Sequence, residues 1–149
     1  MKEESVKITT RELWTRLFQA SSVETFFYEN TCELPELSDY INELCKDRNE
    51  KPGTIIRSSN IENSYGHRIF SGTRHPSRDT VLMLAFGFGL SPDDTQQLLK
   101  VARQTPLHPK VRRDAVIAFC LHQHKTIVDT QQILDENGLP LMGVKNAVG

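Results

Sequence analysis

The stretch from residue 55 to residue 79 constrains the fold more than any other part of the chain. Ile55 and Ile56 sit in a short segment that stops at Asn60. Ile61, Gly66 and Ile69 mark a second that stops at Gly72, and residues 73–79 are polar. Asn tolerates a left-handed backbone better than most residues with a Cβ, and Gly adopts it freely, so both positions suit the end of a short helix. The spacing predicts one short helix over about 52–59, a tight turn, and a second over about 62–70. A third helix, capped by Ser77, follows to about Phe88 with Val81, Leu84, Ala85 and Phe88 on one face.

The flanking sequence repeats this alternation of short helix and break. Thr9 and Glu12 form a capping box before Leu13, Trp14, Leu17 and Phe18, which fall into two i,i+4 pairs. The capping signal recurs from Ser21 to Glu24, ahead of Phe26 and Phe27. After a break over residues 30–35, Leu37, Tyr40, Ile41 and Leu44 share one face of a helix expected to fray near residues 47–50. Ser91, Pro92, Asp93 and Asp94 are a strong helix start, since Ser caps, Pro suits the first turn and carboxylates suit the positive end of the dipole. Helices are further expected over 111–122 and from Thr126 to Asn137 and Gly138, with fraying after Met142. No Val, Thr or Tyr alternation is long enough to require a sheet. The expectation is one all-α fold of about eight short helices.

Charge is distributed unevenly. Residues 1–50 carry 6 Lys/Arg against 11 Asp/Glu, residues 51–113 carry 10 against 4, and residues 114–149 carry 2 against 4. The basic excess therefore lies over the short helix pair, although the whole chain has a formal charge of only −1. An exposed helix beside a basic loop is how a small domain reaches a DNA groove. If Ile61, Gly66 and Ile69 point inward, Asn63, Ser64, His67 and Arg68 point outward. Asn pairs bidentately with adenine and Arg with guanine, each contact carrying about 1–3 kcal/mol of discrimination. These four residues are the candidate base readers. Arg57, Tyr65, Arg74, His75 and Arg78 are the candidate phosphate contacts, which set register and affinity. Two of them have second readings: Tyr65 as a residue packed beneath the helix, and Arg78 with Asp79 as an internal ion pair or cap. Gly66, costly by about 1 kcal/mol inside a helix, reads either as a close helix approach or as built-in looseness.

Together, Ile55, Ile56, Asn60, Ile61, Ile69, Gly72, Pro76, Leu82, Leu84, Ala85 and Leu90 resemble the five-helix DNA-binding domain of the lambda-repressor-like (Cro/xenobiotic-response-element) regulators. The resemblance covers about residues 34–103. It puts helix one at 37–44, the core run of helix two on Ile55 and Ile56, the turn glycine on Asn60, the recognition helix at 63–71 and helix five at 92–103. There are two departures: Ile56 stands where a small alanine is usual, and Gly66 where an apolar residue is usual, large for small and small for large. The stretches 65–72, 76–79, 106–109 and 112–115 are similar to a subgroup of small bacterial regulators in which a helical extension follows that domain. The resemblance implies homodimers on pseudo-palindromic double-stranded DNA, usually as repressors. It divides the chain into an N-terminal helical extension (1–33), a helix-turn-helix domain (34–104) and a C-terminal helical extension packed on the core (105–149). The competing reading is a protein-interaction adaptor or antitoxin-like regulator with an unidentified protein partner and weak or no DNA binding.

The extensions either enlarge the core or offer a partner surface. Lys110, Arg112 and Arg113 either brace phosphate or pair with Asp114, Asp129 or Asp135. Cys32, Cys45 and Cys120 are too widely spaced for a disulfide framework and read as reduced cytoplasmic thiols. Cys120 and His124 have i,i+4 spacing compatible with a metal, and His108 could join them, but a full ligand set is not evident. No phosphate-binding loop, HExxH or nucleophile-elbow motif is present, so neither catalysis nor a cofactor is expected. The charged segment 1–7 gives no signal peptide, and the apolar run 81–90 is too short to span a membrane.

Overall fold

Helix caps set most element boundaries in the computed structural model, which describes residues 9–29 and 34–143. Among these residues there are nine α-helices and no strand: α1 (Thr10–Gln19), α2 (Val23–Glu29), α3 (Leu37–Asp47), α4 (Pro52–Ser58), α5 (Asn63–Ser71), α6 (Arg78–Phe88), α7 (Pro92–Val101), α8 (Arg112–His122) and α9 (Ile127–Glu136). The all-α class is as expected, with nine helices rather than about eight. The segment before Thr9, Cys32 and the tail beyond Gly143 lie outside the described residues. None of the described helices is long and apolar enough to cross a membrane.

The chain forms two units, Met1–Leu34 and Pro35–Gly149. In the first, the Thr9–Glu12 capping box starts α1 as anticipated. The cap of α2 falls one residue later than expected, on Ser22, whose Oγ accepts from the Thr25 amide at 3.1 Å. Phe26 is buried within this unit, and Leu13 and Leu17 are partly buried.

In the second unit, Ser77, Ser91 and Thr126 cap α6, α7 and α9 by accepting amide hydrogens, and Pro92 occupies the first turn of α7. A single core runs from Leu37 to Met142 and draws on α3 to α9. At its centre is α6, where every residue from Thr80 to Phe86 is buried. The expected one-sided apolar face is therefore an understatement, because neighbours surround α6 on all sides. Two glycines make room for α4. A Cβ on Gly66 of α5 would lie 2.5 Å from Ile56 Cγ2, and one on Gly87 of α6 would lie 2.8 Å from the Ile55 carbonyl oxygen and closer still to Ser59 Oγ. Ile56 thus fills the space left at Gly66. Ser59, fully buried, satisfies its hydroxyl by donating to the Ile55 carbonyl at 2.7 Å.

The last four helices are an internal repeat. Asp94, Thr95, Gln96, Gln97, Leu98 and Leu99 recur 35 positions later as Asp129, Thr130, Gln131, Gln132, Ile133 and Leu134. Their bonding recurs as well. Gln96 exchanges two hydrogen bonds with the Leu107 backbone at 2.8 and 2.9 Å, and Gln131 does the same with Met142, both at 2.8 Å. Thr95 and Thr130 each donate to the carbonyl of their own helix cap. Left-handed residues recur at the same interval, Gly89 with His124 and Arg103 with Gly138. The helical pair α8–α9 is therefore a second copy of α6–α7.

The copies are joined by a reciprocal clamp. Arg78 donates to both carboxylate oxygens of Asp114 at 3.0 and 2.9 Å, and Arg113 to both of Asp79 at 2.8 and 3.0 Å. Each guanidinium also holds the closing segment of its own repeat, Arg78 through the Thr105 and Pro106 carbonyls and Arg113 through those of Pro140 and Leu141. Each carboxylate takes one amide from the other repeat, Asp114 from His108 and Asp79 from Gly143.

Candidate nucleic-acid interface

Four residues, 59–62, connect α4 to α5, and the reversal depends on Asn60 at φ +58°. The first turn of α5 is capped by Glu62, whose carboxylate accepts from the Ser64 and Tyr65 amides at 3.0 and 2.7 Å. Those two bonds, the Tyr65 amide first, hold the Glu62 carboxyl below its ordinary pKa. The leading N–H groups of α5 are thus satisfied internally, so attraction for an anion rests on side chains. At the other end, Gly72 is left-handed, and the Thr73 and Arg74 amides both donate to the Arg68 carbonyl. This folds the loop back beside the helix end and brings Arg74 next to Arg68. Asn42 of α3 pins the same end by donating to the Phe70 carbonyl at 2.8 Å.

On α5, Gly66, Ile69 and Phe70 are buried, whereas Asn63, Ser64, His67 and Arg68 are exposed. The four candidate base readers therefore share the solvent side of one helix, held by an apolar underside. Arg57, at the end of α4, and Arg74 and His75, in the following loop, are also exposed. Arg57, Arg68 and Arg74 form no salt bridge among the described residues. Glu62 is the single acidic residue between positions 51 and 76, so this stretch is basic, whereas α3, which meets the end of α5 through Asn42, carries exposed Asp39 and Glu43.

Two candidate phosphate contacts are placed differently. Tyr65 is half-buried against the core, on the border of a groove of about 750 Å³ also lined by Ile61, Met83 and Asp79. Arg78 is committed to the clamp, with Nε and both terminal nitrogens bonded internally. Its internal ion-pair reading describes this geometry, with Asp114 rather than Asp79 as partner. Arg113 likewise pairs with Asp79 and not with Asp114, Asp129 or Asp135.

Sequence reading missed the clamp and the two glutamine brackets, although the DTQQ recurrence at an interval of 35 was the available signal. Cys120 is buried while His108, His122 and His124 are exposed, and no group of three or more possible metal ligands occurs among the described residues. No protein-family model, curated protein or solved structure matches the chain.

Proposed function

We propose that this chain is a sequence-specific, double-stranded-DNA-binding transcriptional regulator that acts as a cytoplasmic repressor, with α5 lying in the major groove. In this reading α3 to α7 are the five-helix core of a lambda-repressor-like domain, and α8–α9, the repeated pair, extends it. The observation that carries the reading is the division of α5. Asn63, Ser64, His67 and Arg68 are exposed on one side, over buried Gly66, Ile69 and Phe70, in a stretch, residues 51–76, whose single carboxylate is Glu62. That is the arrangement a groove-inserted helix needs, with base-edge donors on the face and cations at the margins.

Arg57, Arg74 and His75 then hold phosphate, while Arg78 serves the fold. The close seating of Ile56 at Gly66 favours this reading over the adaptor, because it gives Gly66 a packing role that leaves the helix firmly held. Selection from a random duplex library with purified protein tests it. The expected result is an enriched motif containing two half-sites about 10–10.5 base pairs apart, or a multiple of that spacing, as a two-fold reader requires. Recovery of unenriched sequence would argue against it.

A further inference from the structure

The clamp decides which ends of the helices meet. Residues 89–91 join α6 to α7 and residues 123–126 join α8 to α9, so each pair is a short-looped antiparallel hairpin. The Arg78–Asp114 and Arg113–Asp79 pairs tie the first turn of α6 to the first turn of α8. The ends of α7 and α9 therefore lie at the clamped end, while Asp93, Asp94 and Asp129, in the first turns of α7 and α9, lie at the opposite one. Gln104 draws the loop after α7 onto the loop before α6 by donating to the Pro76 carbonyl at 3.3 Å, and Arg78 holds the Thr105 and Pro106 carbonyls. The loop before α6 in turn closes on the end of α5 through the Thr73 and Arg74 amides. Loops 72–77 and 102–111 thus form one strip that starts at the margin of α5.

This strip contains no carboxylate, and from position 95 to 113 the chain has five Lys/Arg and no Asp/Glu. Arg113 is consumed by Asp79, but Arg74, Arg103, Lys110 and Arg112 are exposed. Acidic residues flank the strip. Glu36 shares a hollow with His75 and Arg103, Asp39 and Glu43 lie on α3, and Asp135 and Glu136 end α9. Lys110 and Arg112 form no salt bridge among the described residues. The 35-residue interval also makes Lys110 the equivalent of His75, so the loop that carries Arg74 and His75 has a cationic duplicate before α8. We propose that Lys110 and Arg112 bind the phosphate backbone of duplex DNA, so that the C-terminal repeat extends the contact made by Arg57, Arg74 and His75. This rests on the reading of the chain as a duplex-DNA binder, and not on base reading by α5.

Anisotropy with the full chain and a fluorescein-labelled duplex of arbitrary sequence, between about 50 and 200 mM salt, tests it. Each phosphate contact adds roughly 0.9 to the slope of log affinity against log salt, so Lys110→Gln with Arg112→Gln should lower the slope by about 1.8. Both side chains are exposed, so the variant should keep the wild-type midpoint in urea. Lys125→Gln, an exposed cation at the opposite end of α8, should leave the slope at its wild-type value. On the duplex selected from the random library, the Lys110/Arg112 variant should lose affinity by the same factor as on the arbitrary one, because phosphate contacts carry no sequence information. An unchanged slope in the folded variant, an equal fall with Lys125→Gln, a changed preference between the duplexes, or no binding by wild type would each overturn the proposal. The two readings fail separately. A wild-type chain without preference between duplexes defeats base reading by α5 and leaves this surface standing if the slope falls. A retained preference with an unchanged slope does the reverse.

Discussion

Arg78 and Asp114 lie 36 positions apart and share two hydrogen bonds, while their immediate neighbours Asp79 and Arg113 share two more in the opposite sense. Two Arg–Asp dipeptides at the starts of equivalent helices thereby exchange partners. The arrangement ties the loop leaving α5 to the C-terminal repeat. It also removes two of the chain's arginines from any surface role.

Truncating Arg78 tests how much the clamp contributes. Its side chain is 23% exposed and that of Asp114 only 6%, so removal of the cation strands a nearly buried carboxylate. Breaking a fully buried pair costs roughly 3–5 kcal/mol; allowing for the partial exposure of Arg78, Arg78→Ala should destabilise the fold by about 2–4 kcal/mol in urea unfolding. A loss below about 1 kcal/mol, the usual worth of a surface pair, would contradict the assigned role.

The other half of the clamp predicts an acid response. Burial raises the pKa of Asp79, but hydrogen bonds from Arg113 and the Gly143 amide, with the charges of Arg113 and Arg78, outweigh it and leave the carboxyl below its ordinary range. A folded-state pKa below the unfolded value of about 3.9 means that the contribution is fully present above that value and is lost as pH falls through the folded one. The stability difference between wild type and Asp79→Asn should therefore be constant above about pH 5 and shrink below about pH 4. A difference that widens on acidification would reverse the assignment.

The fit of Ile56 at Gly66 predicts a change of sign. In the native background, Gly66→Ala forces a Cβ to within 2.5 Å of Ile56 and should destabilise by about 1–3 kcal/mol. In an Ile56→Ala background the obstruction is gone, and the same change should stabilise by up to about 1 kcal/mol through helix propensity. A double-mutant cycle in chemical denaturation measures the coupling. Equal effects in the two backgrounds would show that the two side chains do not share the space.

Equivalent positions of the repeat should carry similar energy. Gln96→Ala and Gln131→Ala each leave one backbone N–H and one carbonyl without their partner, and each should cost about 1–3 kcal/mol. Unfolding of the two variants under identical conditions gives the comparison. A negligible effect at both sites would reduce the brackets to incidental contacts.

What could be read from the sequence was local chemistry. Thr9, Ser77, Ser91 and Thr126 act as caps because a short side-chain oxygen two or three residues ahead of an amide suffices, and Asn60 and Gly72 turn the chain because they tolerate a left-handed backbone. The outward side of α5 followed from helical period alone. The partners of Arg78 and Arg113 did not, because each had a carboxylate next to it in sequence and the choice was made by packing that brings distant helix starts together. The exchange of bulk between Ile56 and Gly66 was visible as a pair of departures, but its sense required the distance between helices. The 35-residue repeat was present in the letters. Reading helix by helix concealed it, since the matching signal lies in positions far apart rather than in any one segment.

The central claim is that α5 reads bases, and a paired titration tests it most directly. Wild type and the His67→Ala, Arg68→Ala variant would be titrated against the selected duplex and against a scrambled duplex over a range of salt. Both proteins should show a similar steep salt dependence, as the proposed phosphate contacts of Arg57 and Arg74 require. The variant should lose about 2–6 kcal/mol of the preference for the selected site, the sum expected from two base-edge contacts. An unchanged preference in a folded variant, or no preference in the wild type, would contradict the account.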